Sequence, residues 1–217
     1  MLRRSSGVIP DLAPNSKPYL LKRIIADGFD TVTVFLLFFV LSALIFASPL
    51  AGVYNGHYEN YKQIEKEAVE EYNNDAAAIT EALNGNAYYN EVRFAARLHA
   101  YILQLLAGFT AELALLLLVP LVSKRRQTFG KMLTGVVPFC ERKQTKASRI
   151  QIFSRFMFVF ILDSALLYLV TGIFTFLLVP VIRLTEMLLN KNNKTVCDAV
   201  TGVMIIEQLS YNGIDNI

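Results

Sequence analysis

Three long apolar stretches restrict this chain to a small set of folds, because each needs a non-aqueous environment. They cover residues 29–53, 98–122 and 151–190 and contain few charged residues. A helix of about 20 apolar residues crosses the hydrocarbon core of a bilayer. The 217-residue chain is also 54% hydrophobic, which is too apolar for an ordinary soluble domain. The sequence therefore predicts an all-α integral membrane protein.

Basic residues beside these stretches indicate how the chain is oriented. Positive charge near a membrane span is retained on the cytoplasmic side. This places the tail 1–17 and the loop 123–150 in the cytoplasm. The first stretch, 29–53, therefore crosses the membrane from the cytoplasmic side to the outside. The insert 54–97 carries eight acids against four basic residues, the balance expected outside. We predict a multi-pass protein of the cell membrane with both termini cytoplasmic, ending in a short tail at 208–217.

The stretch 151–190 is long enough for one oversized span or for two short ones. Lys and Arg are absent between Phe156 and Ile182, and basic residues stand on both sides. A hairpin turning near Thr171–Gly172 keeps both basic clusters inside. We therefore predict spans at 152–170 and 173–189, which makes four transmembrane helices. Each would be near the minimum length, so three helices plus a re-entrant hairpin is the alternative.

Two short segments have the composition of strands. Residues 134–141 and 201–207 both open with Thr-Gly, continue with β-branched residues and are too short to cross a membrane. They would satisfy their backbone groups by pairing with each other, as a small two-stranded β-ribbon in the cytosol.

The insert 54–97 shows a helical pattern. Apolar residues recur every three or four positions from Ile64 to Leu83, and Asn84-Gly85-Asn86 is a stop signal. We predict one amphipathic helix that forms an external helical cap.

Three motifs, in order along the chain, resemble those of the RDD family of small bacterial membrane proteins. The opening motif is carried by Arg23, Ala26 and Asp30, and the closing motif by Asp198 before the strand at 201–206. The central motif, Gln-Thr-x-Gly-Lys before a small-residue turn, is carried by Gln127, Thr128, Gly130 and Lys131.

The resemblance covers most of residues 18–207 outside the insert. It implies a helical membrane domain with a role in transport and no known reaction. Cys197 stands where the family often has His, so a role for that histidine does not carry over.

Acidic residues inside the predicted spans are candidates for an ion site. A carboxylate near the bilayer centre costs several kcal/mol unless it is paired, protonated or hydrated. Glu112 and Asp163 lie near the middle of their spans, and Asp30 lies nearer the cytoplasmic end of the first. Glu112 and Asp163 would share a proton or a small cation. The alternative is that they pair with Arg155 or Arg183 and hold the helices together.

Arg23 and Asp30 are candidates for a structural clamp, for example Arg23 with Asp198; the alternative is that they take part directly in a transport path. Asp27 is four residues from Arg23 and can pair with it, and Asp30 is seven from Arg23, so all three lie on one helix face. The basic loop from Gln127 to Gly135 is a topology anchor or a contact for anionic lipids.

Other classes of function find little support in the sequence. His57 and His99 are not spaced as metal ligands, and Cys140 and Cys197 have no ligand partners nearby in sequence. We predict no enzymatic activity, no cofactor or metal, and no nucleic acid partner. The partners are the lipid bilayer, a small cation or proton, and a second copy of the chain. The function is transport, in the form of small-cation or proton-coupled exchange; the alternative is a scaffold or accessory subunit that binds a partner protein.

Overall fold

A computed structural model describes residues 17–140, 142, 145–190 and 193–207, and within these the chain is mostly helical. These described residues divide into two compact units, the first formed by those within 1–36 and 111–217 and the second by residues 37–110. The predicted tails, residue 17 apart, lie outside the described residues.

Helix α1 runs without a break from Lys17 to Phe46, so it begins before the predicted span at 29–53 and also ends before it. It ends early because Ser48 and Pro49 begin a 3-10 turn at Pro49–Ala51, and proline cannot continue an α-helix. The part from Tyr19 to Phe46 is long and apolar enough to cross a membrane.

The second unit contains two helices where the sequence predicts one. Helix α2 covers Gly52–Glu71 and helix α3 covers Ala76–Gly85. Asn73 and Asn74 separate them at φ values of 50° and 64°, a conformation that asparagine tolerates better than most residues. Asp75 then caps α3 by accepting hydrogen bonds from the amides of Ala77 and Ala78. The prediction of one continuous helix is wrong.

A second long helix begins before its predicted start at Leu98. Helix α4 covers Ala87–Glu112 and continues through a π-helical turn at Leu113–Leu118 into α5, Val119–Val122. Pro120 lacks the amide that would complete the α-helical pattern there, which gives a physical reason for the wider turn. The whole of Ala87–Val122 is a candidate span.

The third candidate span is Arg149–Thr171. Helix α7 (Arg149–Val159), a π-helical turn (Phe160–Leu166) and α8 (Leu167–Thr171) form it, and Ser148 with Gln151 makes a capping box at its start. Gly172 then turns the chain at a φ of 58° into α9, Thr175–Leu189. With 15 residues, α9 is about 22 Å long, less than the roughly 30 Å of a bilayer core. The structure therefore supports three helices that are long enough to span a membrane. The fourth predicted span, 173–189, corresponds to α9, which is shorter than the bilayer core.

A small antiparallel sheet joins the two predicted strand segments. After the short helix α6 (Phe129–Thr134), strand β1 covers Val136–Cys140, and β3 covers Val203–Glu207 after helix α10 (Val196–Thr201). Val136 pairs with Glu207 and Cys140 with Val203. The predicted pairing is present, but the two-residue strand β2, Thr145–Lys146, adds a third strand beside β1. Gly135 and Gly202, at φ 69° and 62°, make the turns that precede β1 and β3.

The long helices present large apolar side chains to their surroundings. On α1, for example, more than half of the surface of each of Leu21, Ile25, Val32 and Leu36 is exposed. A soluble monomer rarely exposes an apolar face of this length, whereas a helix in a bilayer does so at no cost. This surface is consistent with a membrane protein.

Candidate functional site

One face of α1 carries charged side chains that are buried within the first unit. Arg23 is 1% exposed, Asp27 9% and Asp30 6%, and Ala26 lies between them fully buried. Charged groups at this level of burial require partners that offset the loss of water. Those partners come from two distant parts of the chain, described in turn below.

The carboxylate of Asp30 forms the first group of contacts, with the start of α6. Its Oδ1 accepts a hydrogen bond from the amide of Gly130 at 2.7 Å, and its Oδ2 accepts one from the hydroxyl of Thr128. Thr128 occupies the N-cap position of α6 without capping it through its own side chain. Asp30 therefore satisfies an amide of that helix end in its place.

The ammonium of Lys131 completes this group. Its Nζ lies 3.2 Å from Asp30 Oδ2, 3.5 Å from Asp27 Oδ1 and 3.1 Å from the Thr128 hydroxyl. Lys131 is 6% exposed, so it does not lie on the surface as the predicted topology anchor or lipid contact would. One ammonium is thus held between two carboxylates.

Gly130 is required by the close approach of α6 to α1. A Cβ atom built on Gly130 would collide with the carbonyl of Ala26 and come within 3.0 Å of Asp30 Oδ1. Gln127 ties the same loop to β1, because its side-chain amide donates to the carbonyl of Val136 at 2.8 Å. The central motif of the sequence is therefore a local structure that presents hydrogen-bond donors to Asp30.

Asp198 is the centre of the second group. It forms ion pairs with Arg23 and Arg155, and it makes a capping box with Thr195 at the start of α10. Burial alone would raise the pKa of Asp198, but the guanidiniums of Arg155 and Arg23 outweigh it and hold that pKa well below its usual range. Asp198 is therefore a carboxylate at neutral pH.

Further hydrogen bonds fasten α1 to the residues around Asp198. Arg23 also donates to the carbonyl of Asn193, and the hydroxyl of Tyr19 donates to the carbonyl of Ile205 in β3. Lys22 and Glu207 form a more exposed ion pair at 3.1 Å. The structure thus pairs Arg23 with Asp198, as the clamp hypothesis requires.

A small cavity of about 50 Å³ lies beside both groups, enough for a few waters or one ion. Its polar lining comprises Asp27, Asp30, Arg126, Thr128, Lys131, Arg155 and Arg183. Four basic side chains thus face two carboxylates, so the lining is positively charged overall. An additional cation would be opposed here as long as all four basic groups keep their charge.

The predicted ion site at Glu112, Asp163 and Asp30 is only partly within the described structure. Glu112 is 5% exposed and does not line this cavity, whereas Asp30 does. The side chain of Asp163 lies outside the described residues. Arg155, a suggested partner for Glu112 and Asp163, pairs instead with Asp198.

The contact between Asp27 and Lys131 was not predicted from the sequence. The spacing of four residues suggests that Asp27 pairs with Arg23, but the Asp27 carboxylate forms its ion pair with Lys131. The sequence contained an indirect indication of this contact, because Lys131 belongs to the central motif and Asp30, which it also contacts, belongs to the opening motif. Among the described residues, no three His, Cys, Asp or Glu side chains are grouped as metal ligands.

Comparisons of the chain with protein-family models, with curated proteins and with solved structures find no match.

Proposed function

We propose that this chain is an RDD-like membrane protein that exchanges a small monovalent cation for a proton, with Asp27, Asp30 and Lys131 as the exchange site. The observation that carries the proposal is the buried ammonium held between two carboxylates beside a cavity of ionic size. Carboxylate oxygens are the ligands that hard cations prefer. Here the Lys131 ammonium, which also carries one positive charge, occupies the position that such a cation would take.

The charge balance of the cavity gives a reason for coupling. Because basic residues already outnumber the acids that line it, the repulsion of an added cation falls if one positive charge leaves. Lys131 is the basic group there that can lose a proton, since an arginine guanidinium stays protonated in proteins. One proton released from the Lys131 ammonium and one monovalent cation bound between Asp27 and Asp30 leave the net charge unchanged.

The test is exchange in liposomes that contain the purified protein and a trapped pH indicator. Adding Na⁺ or K⁺ outside is expected to make the lumen alkaline as protons leave. Lys131→Arg is expected to keep the positive charge and the ion pairs, but a guanidinium does not release its proton in proteins, so the variant is expected to fold and to lose exchange. Lys66→Gln, at a lysine whose side chain is 78% exposed on α2, is the matched control and is expected to keep exchange.

A second variant separates this site from the one that the span acids suggest. Glu112→Gln with Asp163→Asn is expected to leave exchange in place if Asp27, Asp30 and Lys131 form the site. Exchange lost in that double variant, and kept in folded Lys131→Arg, would move the site to Glu112 and Asp163.

The alternative is a scaffold or accessory subunit, and one observation favours it. The ion pairs of Asp198 with Arg23 and Arg155, and those of Lys131 with Asp27 and Asp30, each join separate elements of the first unit, as purely structural pairs do. Absence of exchange by the folded wild-type protein, together with purification of one stoichiometric partner, would favour this second function.

A further inference from the structure

A separate cavity in the second unit is lined by basic and aromatic side chains. It has a volume of about 280 Å³ and lies between α2 and α4. Its polar lining consists of Tyr54, Tyr61, Lys62, Glu65, Arg93 and Arg97. The exchange function does not use any of these residues.

The distribution of charge in the second unit points to an anionic ligand. Residues 37–110 contain eight acids and four basic residues, and three of those four basic residues line this cavity. With Glu65 as its one carboxylate, the lining has two more positive than negative groups. The second unit is acidic overall, but most of its basic side chains line this one cavity. This local concentration of positive charge attracts anions to the cavity.

The negative charge of Glu65 is already satisfied. Its Oε2 accepts from the ammonium of Lys62 at 2.8 Å and its Oε1 from the hydroxyl of Tyr89 at 2.8 Å. Within the described residues, the ion pairs of this unit join Lys62 to Glu65 and Lys66 to Glu70, and neither includes an arginine. The guanidiniums of Arg93 and Arg97 therefore remain for a ligand.

The two arginines are spaced for one oxyanion. They stand four residues apart on α4, so their side chains project from one face of the helix. A planar guanidinium forms two parallel hydrogen bonds to an oxyanion, and phosphate is the oxyanion that several such groups bind together. The guanidinium of Arg93 is also held over the ring of Tyr89 at 5.7 Å, which limits its freedom before a ligand arrives.

The aromatic wall is fixed by contacts between rings. Tyr54 lies 5.6 Å from Tyr58, Tyr58 lies 5.2 Å from Tyr61, and Tyr61 lies 6.4 Å from Tyr89. Tyrosines in such a row offer apolar faces and hydroxyl groups together, as side chains at a membrane–water interface do.

The position of Arg97 along α4 identifies the source of the phosphate. Arg97 directly precedes the stretch 98–122, where Glu112 is the one Asp, Glu, Lys or Arg residue. That stretch is ~37 Å long as a helix and covers a bilayer core of roughly 30 Å. Arg93 and Arg97 therefore fall at the level of the lipid headgroups.

We propose that the cavity formed by Tyr54, Tyr61, Lys62, Arg93 and Arg97 binds a phosphate group, supplied by the headgroup of an anionic phospholipid. Phosphatidylcholine would bind less well, because its choline cation would meet three basic side chains.

The test is a titration of the detergent-purified full chain with phosphatidylglycerol, in which native mass spectrometry counts the lipids retained. We expect one retained phosphatidylglycerol at an affinity about tenfold or more above that of phosphatidylcholine. Arg93→Gln with Arg97→Gln is expected to weaken phosphatidylglycerol by about tenfold or more, since charged hydrogen bonds are lost. Lys66→Gln, on the same unit but outside the cavity, is expected to bind as the wild type does.

Competition by sn-glycerol 3-phosphate distinguishes the two sources of the phosphate. Displacement of the lipid would show that the phosphate group alone suffices. No displacement would show that the intact lipid is required, and the loss of phosphatidylglycerol in the double variant then supports the phosphate site. Equal retention of phosphatidylglycerol by wild type and the double variant, or none by wild type, would overturn it. If the double variant does not fold, Arg97→Gln alone, at an exposed position, carries the same comparison.

Discussion

The ammonium of Lys131 lies 3.2 Å from Oδ2 of Asp30, a residue 101 positions earlier in the chain. The same ammonium contacts Asp27 at 3.5 Å, so one basic residue of the central motif neutralises two acids of the first helix. Two features that look separate in the sequence therefore form one structure: the charged face of α1 and the Thr128-x-Gly130-Lys131 segment at the start of α6.

Replacing Asp30 by alanine should strongly destabilise the first unit. The substitution leaves the amide of Gly130 without its acceptor and the buried ammonium of Lys131 with Asp27 as its one carboxylate, a loss of about 3–5 kcal/mol for a broken buried pair. Asp75→Ala is the matched control, because Asp75 also caps a helix but is exposed, and its loss should be about 1 kcal/mol. Denaturant unfolding followed by circular dichroism in detergent measures both. Equal losses for the two variants would contradict the role given to Asp30.

Substituting alanine for Gly130 and for Gly56 should have opposite effects. At Gly130 the new Cβ meets the backbone of Ala26, which cannot give way without moving α1, so we expect a loss of about 2 kcal/mol or more. At Gly56, inside α2, nothing lies within 4 Å, and alanine should stabilise the helix by roughly 0.5–1 kcal/mol. Melting temperatures of the two variants provide the comparison. A stable Gly130→Ala protein would rule out the close approach of α6 to α1.

Asp198 should make the stability of the protein depend on acid pH. Its pKa is held well below the ordinary value by Arg155 and Arg23, so the folded state binds its proton less readily than the unfolded state. The stabilisation is complete above about pH 4, the pKa of an aspartate in an unfolded chain, and declines as the pH falls further. We expect Asp198→Asn to be less stable than wild type at pH 7, with the difference narrowing below pH 4. Melting curves between pH 7 and 3 measure it, and a constant difference would exclude the linkage.

The orientation of the chain can be tested by labelling introduced cysteines. Asn84→Cys, in the predicted external insert, should react with a membrane-impermeant maleimide on intact cells. Leu189→Cys, at the exposed end of α9, should react only after the cells are permeabilised, because both basic clusters around 151–190 are predicted to be cytoplasmic. The wild-type protein is the background control, since Cys140 and Cys197 are buried. External labelling of Leu189→Cys would reverse the predicted position of that cluster.

Periodicity and composition were sufficient to predict the apolar helices and the pairing of β1 with β3. The strands could be found because each follows a Thr-Gly pair, and the glycines at 135 and 202 make the left-handed turns. Strand β2 was missed because Thr145 and Lys146 are two exposed residues with no alternation to detect. The span was predicted to begin at residue 29 because Lys22, Arg23 and Asp27 interrupt the apolar pattern before it, whereas α1 is one helix from Lys17 in which Arg23 and Asp27 are buried.

The contacts of the candidate site were harder to predict than its members. Asp30, Lys131 and Asp198 were all singled out, but helical spacing reports neighbours within one element and favoured Asp27 with Arg23. Which acid pairs with which basic residue, when they are 100 or more positions apart, depends on tertiary packing. A local sequence pattern does not describe that packing.

The separation of these partners along the chain also fixes an order of events during synthesis. The first helix emerges from the ribosome with Arg23, Asp27 and Asp30 already in place. Gly130, the amide partner of Asp30, follows 100 residues later, and Asp198, the partner of Arg23, follows 175 residues after Arg23. The charged face of α1 therefore lacks these partners until Gly130 and then Asp198 have been synthesised, and water has to satisfy its charges in that interval.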